Sequence, residues 1–261
     1  MQLFIVGAPR SGTTIVTQYL NFHCDVQLFD EIDLLQVSRR GSSVVGTLRS
    51  FLTDRGVYAD FRRYAREAAD PAHALRRVMS EFTGPGTIWG EKNPWYATQL
   101  SALRRVFPDA VPVFVLRDPR EVVNSMLAHR DSPMRRSVDF WIKDTVPGAL
   151  ELVRKCLQPL DTDSDQLVVL NYEAFAARPA TTLNAALSRC GLTFSDQAPD
   201  VAYSPPETVG DHQFLRNGSL LPWKVGNLCP LHPAAPARDR ADAGDPAWKE
   251  VDVLARNLGF D

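Results

Sequence analysis

The segment FIVGAPRSGTT, residues 4–14, combines a glycine-rich loop with an arginine and two threonines. The spacing of Gly7 and Gly12 lets backbone N–H groups converge on an anion at the N-terminus of a following helix. In nucleoside-triphosphate loops a lysine follows the second glycine and reaches the outer phosphates, but Thr13 occupies that place here. Arg10 can instead offer its guanidinium fork to an oxyanion. The segment therefore predicts an anion-binding loop that lacks the triphosphate lysine.

A second candidate anion site is the segment LRDPREVVNS, residues 116–125. Arg117 ends an apolar run that reads as a strand, and Ser125 lies on the helix predicted to follow it. Open α/β folds bind nucleotides at the carboxyl edge of the sheet, so both side chains could face one ligand there. A guanidinium together with a hydroxyl suits a single phosphate group.

These two segments, with Asn171-Tyr172-Glu173 and the GEKNP sequence around Lys92, closely resemble the sulfotransferases that use 3′-phosphoadenosine 5′-phosphosulfate (PAPS). The first segment is similar to their loop for the 5′-phosphosulfate, and the second to their 3′-phosphate site. The motif style is closest to the tyrosylprotein and bacterial branch. The resemblance implies a P-loop-like α/β fold, PAPS as donor, its desulfonated product PAP, and no metal.

Carried over residue by residue, the resemblance also implies a donor site. Its members are Arg10, Ser11, Gly12, Thr13, Thr14, Arg117, Ser125 and Tyr172. Members of the family often close over the 3′-phosphate with a C-terminal loop of basic and small polar residues. Arg216, Ser219 and Lys224 are the candidates for that loop, although this segment lacks a clean copy of the family's C-terminal motif.

Sulfuryl transfer should resemble phosphoryl transfer in being in-line and loose, so positioning and charge stabilisation dominate. Arg10 and the amides of the first loop suit the leaving phosphate. Lys92 occupies a place comparable to the lysine that tyrosylprotein sulfotransferases carry, which implies a contact with the sulfuryl group or the bridging oxygen.

The acceptor hydroxyl must also lose a proton, which requires a base. Glu31 is the favoured base, because it lies 21 residues after Arg10, at the offset of the tyrosylprotein glutamate. Asp30 and Asp33 are competing carboxylates. Many sulfotransferases use a histidine from a later segment instead, and His129 is that alternative here.

Four apolar runs predict the strands that must hold these residues, at 2–6, 87–90, 111–116 and 167–170. Helical spacing predicts helices at 12–23, from 95 to 103, after Asp118, at 137–157 with a break at Pro147-Gly148, at 180–190 and at 246–258. Asp118, Pro119 and Glu121 occupy the N-cap, first and third positions of one helix, an acidic variant of the capping box.

This alternation of strands and helices predicts a single α/β domain over residues 1–261, with a central parallel sheet flanked by helices. Residues 39–86 are expected to form a helical region beside the acceptor, and residues 195–247 a loop-rich segment. The arginines of residues 39–77 fit solvated helix faces better than a site for an anionic acceptor.

The composition limits the classes of function. With 44% hydrophobic residues, 23% charged residues and a net charge of -2, the chain gives no bulk electrostatic case for nucleic acid or a membrane surface. No apolar stretch suits a membrane span, and the N-terminus shows no signal-peptide pattern. The scattered cysteines are expected to be buried free thiols, which favours a cytoplasmic location. They are Cys24, Cys156, Cys190 and Cys229.

The resulting prediction is a metal-independent sulfotransferase that moves the sulfuryl group from PAPS to a hydroxyl of a small molecule, a carbohydrate or a peptide tyrosine. One alternative is a nucleotide-dependent kinase with a degenerate loop, against which Thr13 in the lysine position argues. Another is a non-catalytic nucleotide-binding protein. The sequence does not predict an oligomeric state.

Overall fold

The computed structural model describes residues 1–38, 46–68, 70–130, 143–194 and 239–261. Five parallel strands form one sheet in the order β2-β3-β1-β4-β5. The strands are β1 (Gln2–Gly7), β2 (Val26–Asp30), β3 (Ile88–Lys92), β4 (Ala110–Leu116) and β5 (Val168–Asn171). The predicted single α/β domain with a central parallel sheet is therefore confirmed.

Helices cover both faces of the sheet and create two hydrophobic cores. On one face pack α1 (Thr13–Asn21), α8 (Tyr172–Ala177) and α9 (Pro179–Leu187). On the other face pack α2 (Gly46–Asp54), α3 (Tyr58–Ala68), α4 (Pro71–Thr83), α5 (Leu100–Val106), α6 (Pro119–Leu127), α7 (Val146–Thr162) and α10 (Trp248–Asn257). Because both faces are covered, the central strands are apolar on both sides, as the run FIV in β1 shows.

Two strands differ from the prediction. The strand β2 was missed, because VQLFD is short and ends in an aspartate. That aspartate, Asp30, is buried and lies opposite Lys92 in the parallel register. The strand predicted at 87–90 runs on to Lys92, so this lysine is a buried strand residue. Both differences place charged side chains inside the sheet, which a local apolar pattern does not reveal.

The start of α7 also corrects the prediction. Residues 131–142 lie outside the described residues, and the helix begins at Val146, where a break at Pro147-Gly148 was expected. Thr145 is its N-cap, and the Gly148 N–H donates to the Thr145 side-chain oxygen. Proline in the first turn loses no hydrogen bond, so this pair starts the helix.

The cysteine prediction is correct in part. Cys24, Cys156 and Cys190 are free thiols, whereas Cys229 lies outside the described residues. Cys156 is buried, but Cys24 is exposed, because it lies in the turn between α1 and β2. Among the described residues, no helix is both long and apolar enough to cross a membrane.

The helical region after β2 carries its arginines on the surface. Arg63 pairs with Asp60 and Arg77 pairs with Glu81, at 2.7 and 3.0 Å. These pairs agree with the solvated helix faces predicted for the region. Most of the predicted loop-rich segment, residues 195–238, lies outside the described residues.

Candidate active site

The glycine-rich loop joins β1 to α1 at the carboxyl edge of the sheet. Gly12 has φ 95°, and a Cβ atom there would lie 2.3 Å from Cε2 of Tyr172. No side chain caps the N-terminus of α1. The loop therefore needs glycine at this position, and the first amides of α1 are left without an intrahelical acceptor.

The first turn of α1 offers donors to an anion. The Val16 N–H donates to the Gly12 carbonyl, which is the first hydrogen bond of the helix. The Thr13 and Thr14 amides lie before this hydrogen bond, at the open end of α1. The Ser11 N–H donates to the Ala8 carbonyl, whereas the Ser11 hydroxyl is buried with no partner among the described residues. A buried hydroxyl and helix-end amides that have no intrahelical acceptor fit a phosphate group.

The two predicted anion motifs contact each other directly. Arg10 Nε donates to Ser125 Oγ at 3.1 Å, and an Arg117 guanidinium N–H donates to the Arg10 carbonyl at 3.1 Å. Arg10 itself has a left-handed φ of 73°, which turns its side chain towards α6. The structure thus brings both guanidinium groups and the serine to one end of α1.

Tyr172, the first residue of α8, lies between the two motifs. Its ring packs against Gly12, and the guanidinium of Arg117 lies over the ring at 4.9 Å from the centroid. Arg117 also pairs with Glu121 at 3.5 Å. Burial raises the pKa of Tyr172, with Arg117 opposing the shift, so the ring keeps its hydroxyl proton at neutral pH.

Two carboxylates fix the start of α6, and the sequence predicted one of them. Asp118 is the N-cap and accepts from the Arg120 N–H at 2.8 Å. The Asp118 N–H donates to Glu173 at 3.0 Å, so Glu173 takes the place predicted for Glu121 in the capping box. Glu121 is instead the partner of Arg117, four residues before it, whereas no residue near Asp118 in the sequence marks Glu173 as its partner.

Lys92 lies between two carboxylates at the end of β3. Its Nζ is 2.6 Å from Asp30 Oδ1 and 2.6 Å from Glu31 Oε1. The side chains of Lys92 and Asp30 are each 1% exposed, whereas that of Glu31 is 32% exposed. Burial alone would lower the pKa of Lys92, but Asp30 and Glu31 outweigh it and hold the pKa above its usual value. Lys92 is therefore a permanent cation, and Glu31 is its solvent-accessible partner.

The competing base candidates occupy different surroundings. Asp30 is enclosed with Lys92, and Asp33 accepts from Gln36 Nε2 at 2.5 Å. His129 follows the end of α6, one turn beyond Ser125, and stays the alternative base. Arg216, Ser219 and Lys224 lie outside the described residues, so their predicted contact with the 3′-phosphate stays a prediction.

Glu91 is a buried carboxylate that the sequence did not single out. It accepts hydrogen bonds from the Asp33 N–H at 2.7 Å, the Leu34 N–H at 2.9 Å and the Tyr96 hydroxyl at 2.7 Å. Burial raises its pKa to about 8, against which these three donors stabilise the charged form. The only sequence signal was its position beside Lys92 in the GEKNP segment.

One group among the described residues has ligand atoms close enough to hold a metal, and it lies away from this site. His23, Cys24 and Asp25 precede β2 at the amino edge of the sheet, whereas the loop and Lys92 are at the carboxyl edge. Two of these three consecutive residues are exposed.

Comparisons with known proteins find relatives of this chain among the protein-tyrosine sulfotransferases. Relatives include protein-tyrosine sulfotransferase 1 of Danio rerio, 24% identical over 205 residues, covering 74% of this chain and 54% of the relative. Protein-tyrosine sulfotransferase 2 of Gallus gallus is 24% identical over 204 residues, covering 74% and 52%. The chain thus spans about half the length of these curated relatives.

Two solved structures share the fold. The sulfotransferase domain of the Synechococcus PCC 7002 olefin synthase has a TM-score of 0.67 at 16% identity, covering 100% of this chain and 95% of the domain. The sulfotransferase domain from the curacin biosynthetic pathway has a TM-score of 0.61 at 17% identity, covering 99% and 97%. A family model described as "Sulfotransferase family" matches residues 2–196. The chain therefore belongs to the sulfotransferase family.

Proposed function

We propose that this chain transfers the sulfuryl group from PAPS to a hydroxyl of its acceptor, by in-line displacement and with no metal. The observation that carries the proposal is the contact between the two anion motifs through Arg10, Ser125 and Arg117. A ligand with negative groups at both ends of one adenosine would engage both motifs, and PAPS is such a ligand.

The residues present fit the donor. The uncapped end of α1, with the buried Ser11 hydroxyl, would hold the 5′-phosphosulfate, and Arg10 would lie over it. Arg117 and Ser125 would hold the 3′-phosphate, because a guanidinium and a hydroxyl can both donate to one phosphate. The loop lacks the lysine of triphosphate sites, and PAPS has no γ-phosphate that would require it.

The Lys92 and Glu31 pair supplies the chemistry of transfer. Lys92 would donate to the transferred group or to the bridging oxygen, where negative charge builds during the reaction. Glu31, the more exposed of the two carboxylates on Lys92, would take the proton of the acceptor hydroxyl. Asp30 stays with Lys92 and compensates its charge when Glu31 turns to the acceptor.

The acceptor is a hydroxyl compound, and a phenol is supported by the relatives, whose names describe tyrosine sulfation. The hydroxyls of carbohydrates and of small molecules are the alternative acceptors, and an assay of sulfuryl transfer would distinguish them. An assay with radiolabelled PAPS, EDTA and a panel of phenols, sugars and tyrosine peptides would identify the acceptor class and test the need for a metal.

Isothermal titration of PAP against ADP tests the donor directly. The two ligands carry the same number of phosphates in different places, so their difference reports the 3′-phosphate. We expect PAP to bind at least about tenfold more tightly, a difference of about 1.4 kcal/mol. Equal affinities, or no binding of PAP, would overturn the proposed function.

A further inference from the structure

The turn after β2 carries Glu31 and is tied to β3 at both ends. At its start the Glu31 N–H donates to the Lys92 carbonyl at 3.0 Å. At its end the N–H groups of Asp33 and Leu34 donate to the Glu91 carboxyl, and the Leu35 N–H donates to the Tyr96 hydroxyl at 3.1 Å. The Tyr96 hydroxyl in turn donates to Glu91. Three consecutive amides thus depend on one carboxyl and its tyrosine.

The two strand residues that hold the turn point to opposite faces of the sheet. Adjacent side chains in a strand alternate, so Lys92 reaches Glu31 on one face and Glu91 reaches the amides on the other. The turn therefore passes around the carboxyl end of β3. Its position decides where the Glu31 carboxylate lies relative to the Lys92 ammonium group.

The backbone of this turn requires such support. Glu31 has φ 49° and Asp33 has φ 65°, both in the left-handed region that non-glycine residues rarely adopt. Such a backbone conformation is strained in a residue with a side chain and persists only where the surroundings hold it. The Asp33 N–H donates to Glu91, and the next two amides, of Leu34 and Leu35, donate to Glu91 and Tyr96, so these hydrogen bonds support the strained backbone at Asp33.

We propose that Glu91, together with Tyr96, is a positioning residue that fixes Glu31 against Lys92. The proposal rests on the proposed function, in which Glu31 is the base. Glu91 is fully buried and acts through the backbone of the turn, so it needs no contact with donor or acceptor.

The chemistry of the surroundings explains why a carboxyl group is needed. The Asp33 N–H and the Asn93 amide face Oε1, and the Leu34 N–H and the Tyr96 hydroxyl face Oε2. A carboxyl oxygen can accept whether or not the group is protonated. A glutamine nitrogen cannot accept, so Glu91→Gln would leave one backbone N–H facing another donor.

The ammonium signal of Lys92 in ¹H–¹⁵N spectra tests the proposal in the 261-residue chain without an acceptor. The chain has five lysines, and the signal is assigned by its loss in Lys92→Arg. We expect Glu31→Gln to shift this signal, because a carboxylate 2.6 Å away is removed. Glu91→Gln should shift or broaden it as well. Tyr96→Phe, which removes only the hydroxyl, is a milder second variant should Glu91→Gln fail to fold.

Asn21→Ala is the matched control. The Asn21 side chain makes two hydrogen bonds to the backbone of Leu28 in β2, at 2.7 and 2.9 Å. Like Glu91→Gln, this variant disturbs two buried hydrogen bonds to backbone groups, but these lie in β2, before the turn. The Lys92 signal should stay at its wild-type position. An unchanged signal in both Glu91→Gln and Tyr96→Phe, or an equal shift in Asn21→Ala, would overturn the proposal.

Kinetics separate this proposal from the proposed function. We expect Glu91→Gln to lower kcat roughly ten- to a hundredfold, because a base displaced by about 1 Å loses that much. The Kd for PAP should stay within about twofold, since the donor loop is untouched. If the wild-type chain does not bind PAP, the proposed function is wrong. The Lys92 signal would still show whether Glu91 holds the turn.

Discussion

An N–H of the Arg117 guanidinium donates to the carbonyl oxygen of Arg10 at 3.1 Å, across 107 residues of sequence. Arg10 in turn donates to Ser125, so each motif contributes a group to the other. The two motifs are therefore in direct contact. In a chain with a net charge of -2, they bring two arginines together at one end of α1.

Arg117→Ala should weaken PAP binding and leave ADP binding nearly unchanged. In the proposed function Arg117 holds the 3′-phosphate, and losing one charge-assisted hydrogen bond costs about 1.5–3 kcal/mol. Isothermal titration with both ligands measures the difference. Arg120→Ala is the charge-matched control, because Arg120 pairs with Asp118 and contacts the C-terminal carbonyl of Asp261. If the PAP affinity falls equally in both variants, the effect comes from the loss of one positive charge and not from a contact between Arg117 and the 3′-phosphate.

Glu31→Gln should lower turnover far more than donor affinity. Losing a general base typically costs about 10²–10⁴ in rate, and Glu31 is the base in the proposed function. Release of PAP from PAPS, measured with the acceptor that the wild-type chain uses, gives kcat, and titration gives the Kd for PAP. Retained turnover in this variant would assign the proton transfer to another group, with His129 the first to test.

Asp30→Asn tests whether Asp30 is the structural partner of Lys92, as distinct from Glu31, the proposed base. Asp30 and Lys92 are both buried, and removing one partner of a buried pair costs more stability than removing an accessible one. Chemical unfolding should therefore show a larger loss for Asp30→Asn than for Glu31→Gln. The reverse order would show that Glu31 is the main counter-ion of Lys92.

Gly12→Ala should destabilise the fold and weaken PAP binding together. The added methyl group would meet the Tyr172 ring at 2.3 Å, so the ring or the loop has to move. Gly56→Ala is a matched control, because Gly56 also has a positive φ, of 72°, but has open space around it. Its cost should be limited to the backbone term of about 1–2 kcal/mol, with the Kd for PAP unchanged. Equal losses in both variants would show that the Tyr172 contact is unimportant.

The sequence predicted the parts of the fold that local patterns encode. The apolar runs of β1, β4 and β5 and the Asp118 N-cap of α6 are confirmed. The strand β2 was missed, because its last residue is an aspartate whose charge is balanced by Lys92, 62 residues later in the sequence. A pattern of neighbouring residues contains no information on such a partner.

The same limit applies to the candidate site. The residue types of Arg10, Arg117 and Ser125 predicted an anion site, because their chemistry is specific and the loop is short. Glu91 was missed, because its partners are backbone amides of a turn that adjoins it only after β2 and β3 pair. Backbone groups are identical at every residue, so the sequence does not mark which of them a carboxylate will bind.

Three of the four non-glycine residues with positive φ that the structure describes, Arg10, Glu31 and Asp33, lie in the candidate site. Asparagine and glycine adopt this backbone more easily than glutamate does. Laboratory evolution for heat resistance alone would therefore favour such replacements at position 31. The hardier variants would lose the carboxylate beside Lys92, and resistance to heat would diverge from the ability to turn over substrate.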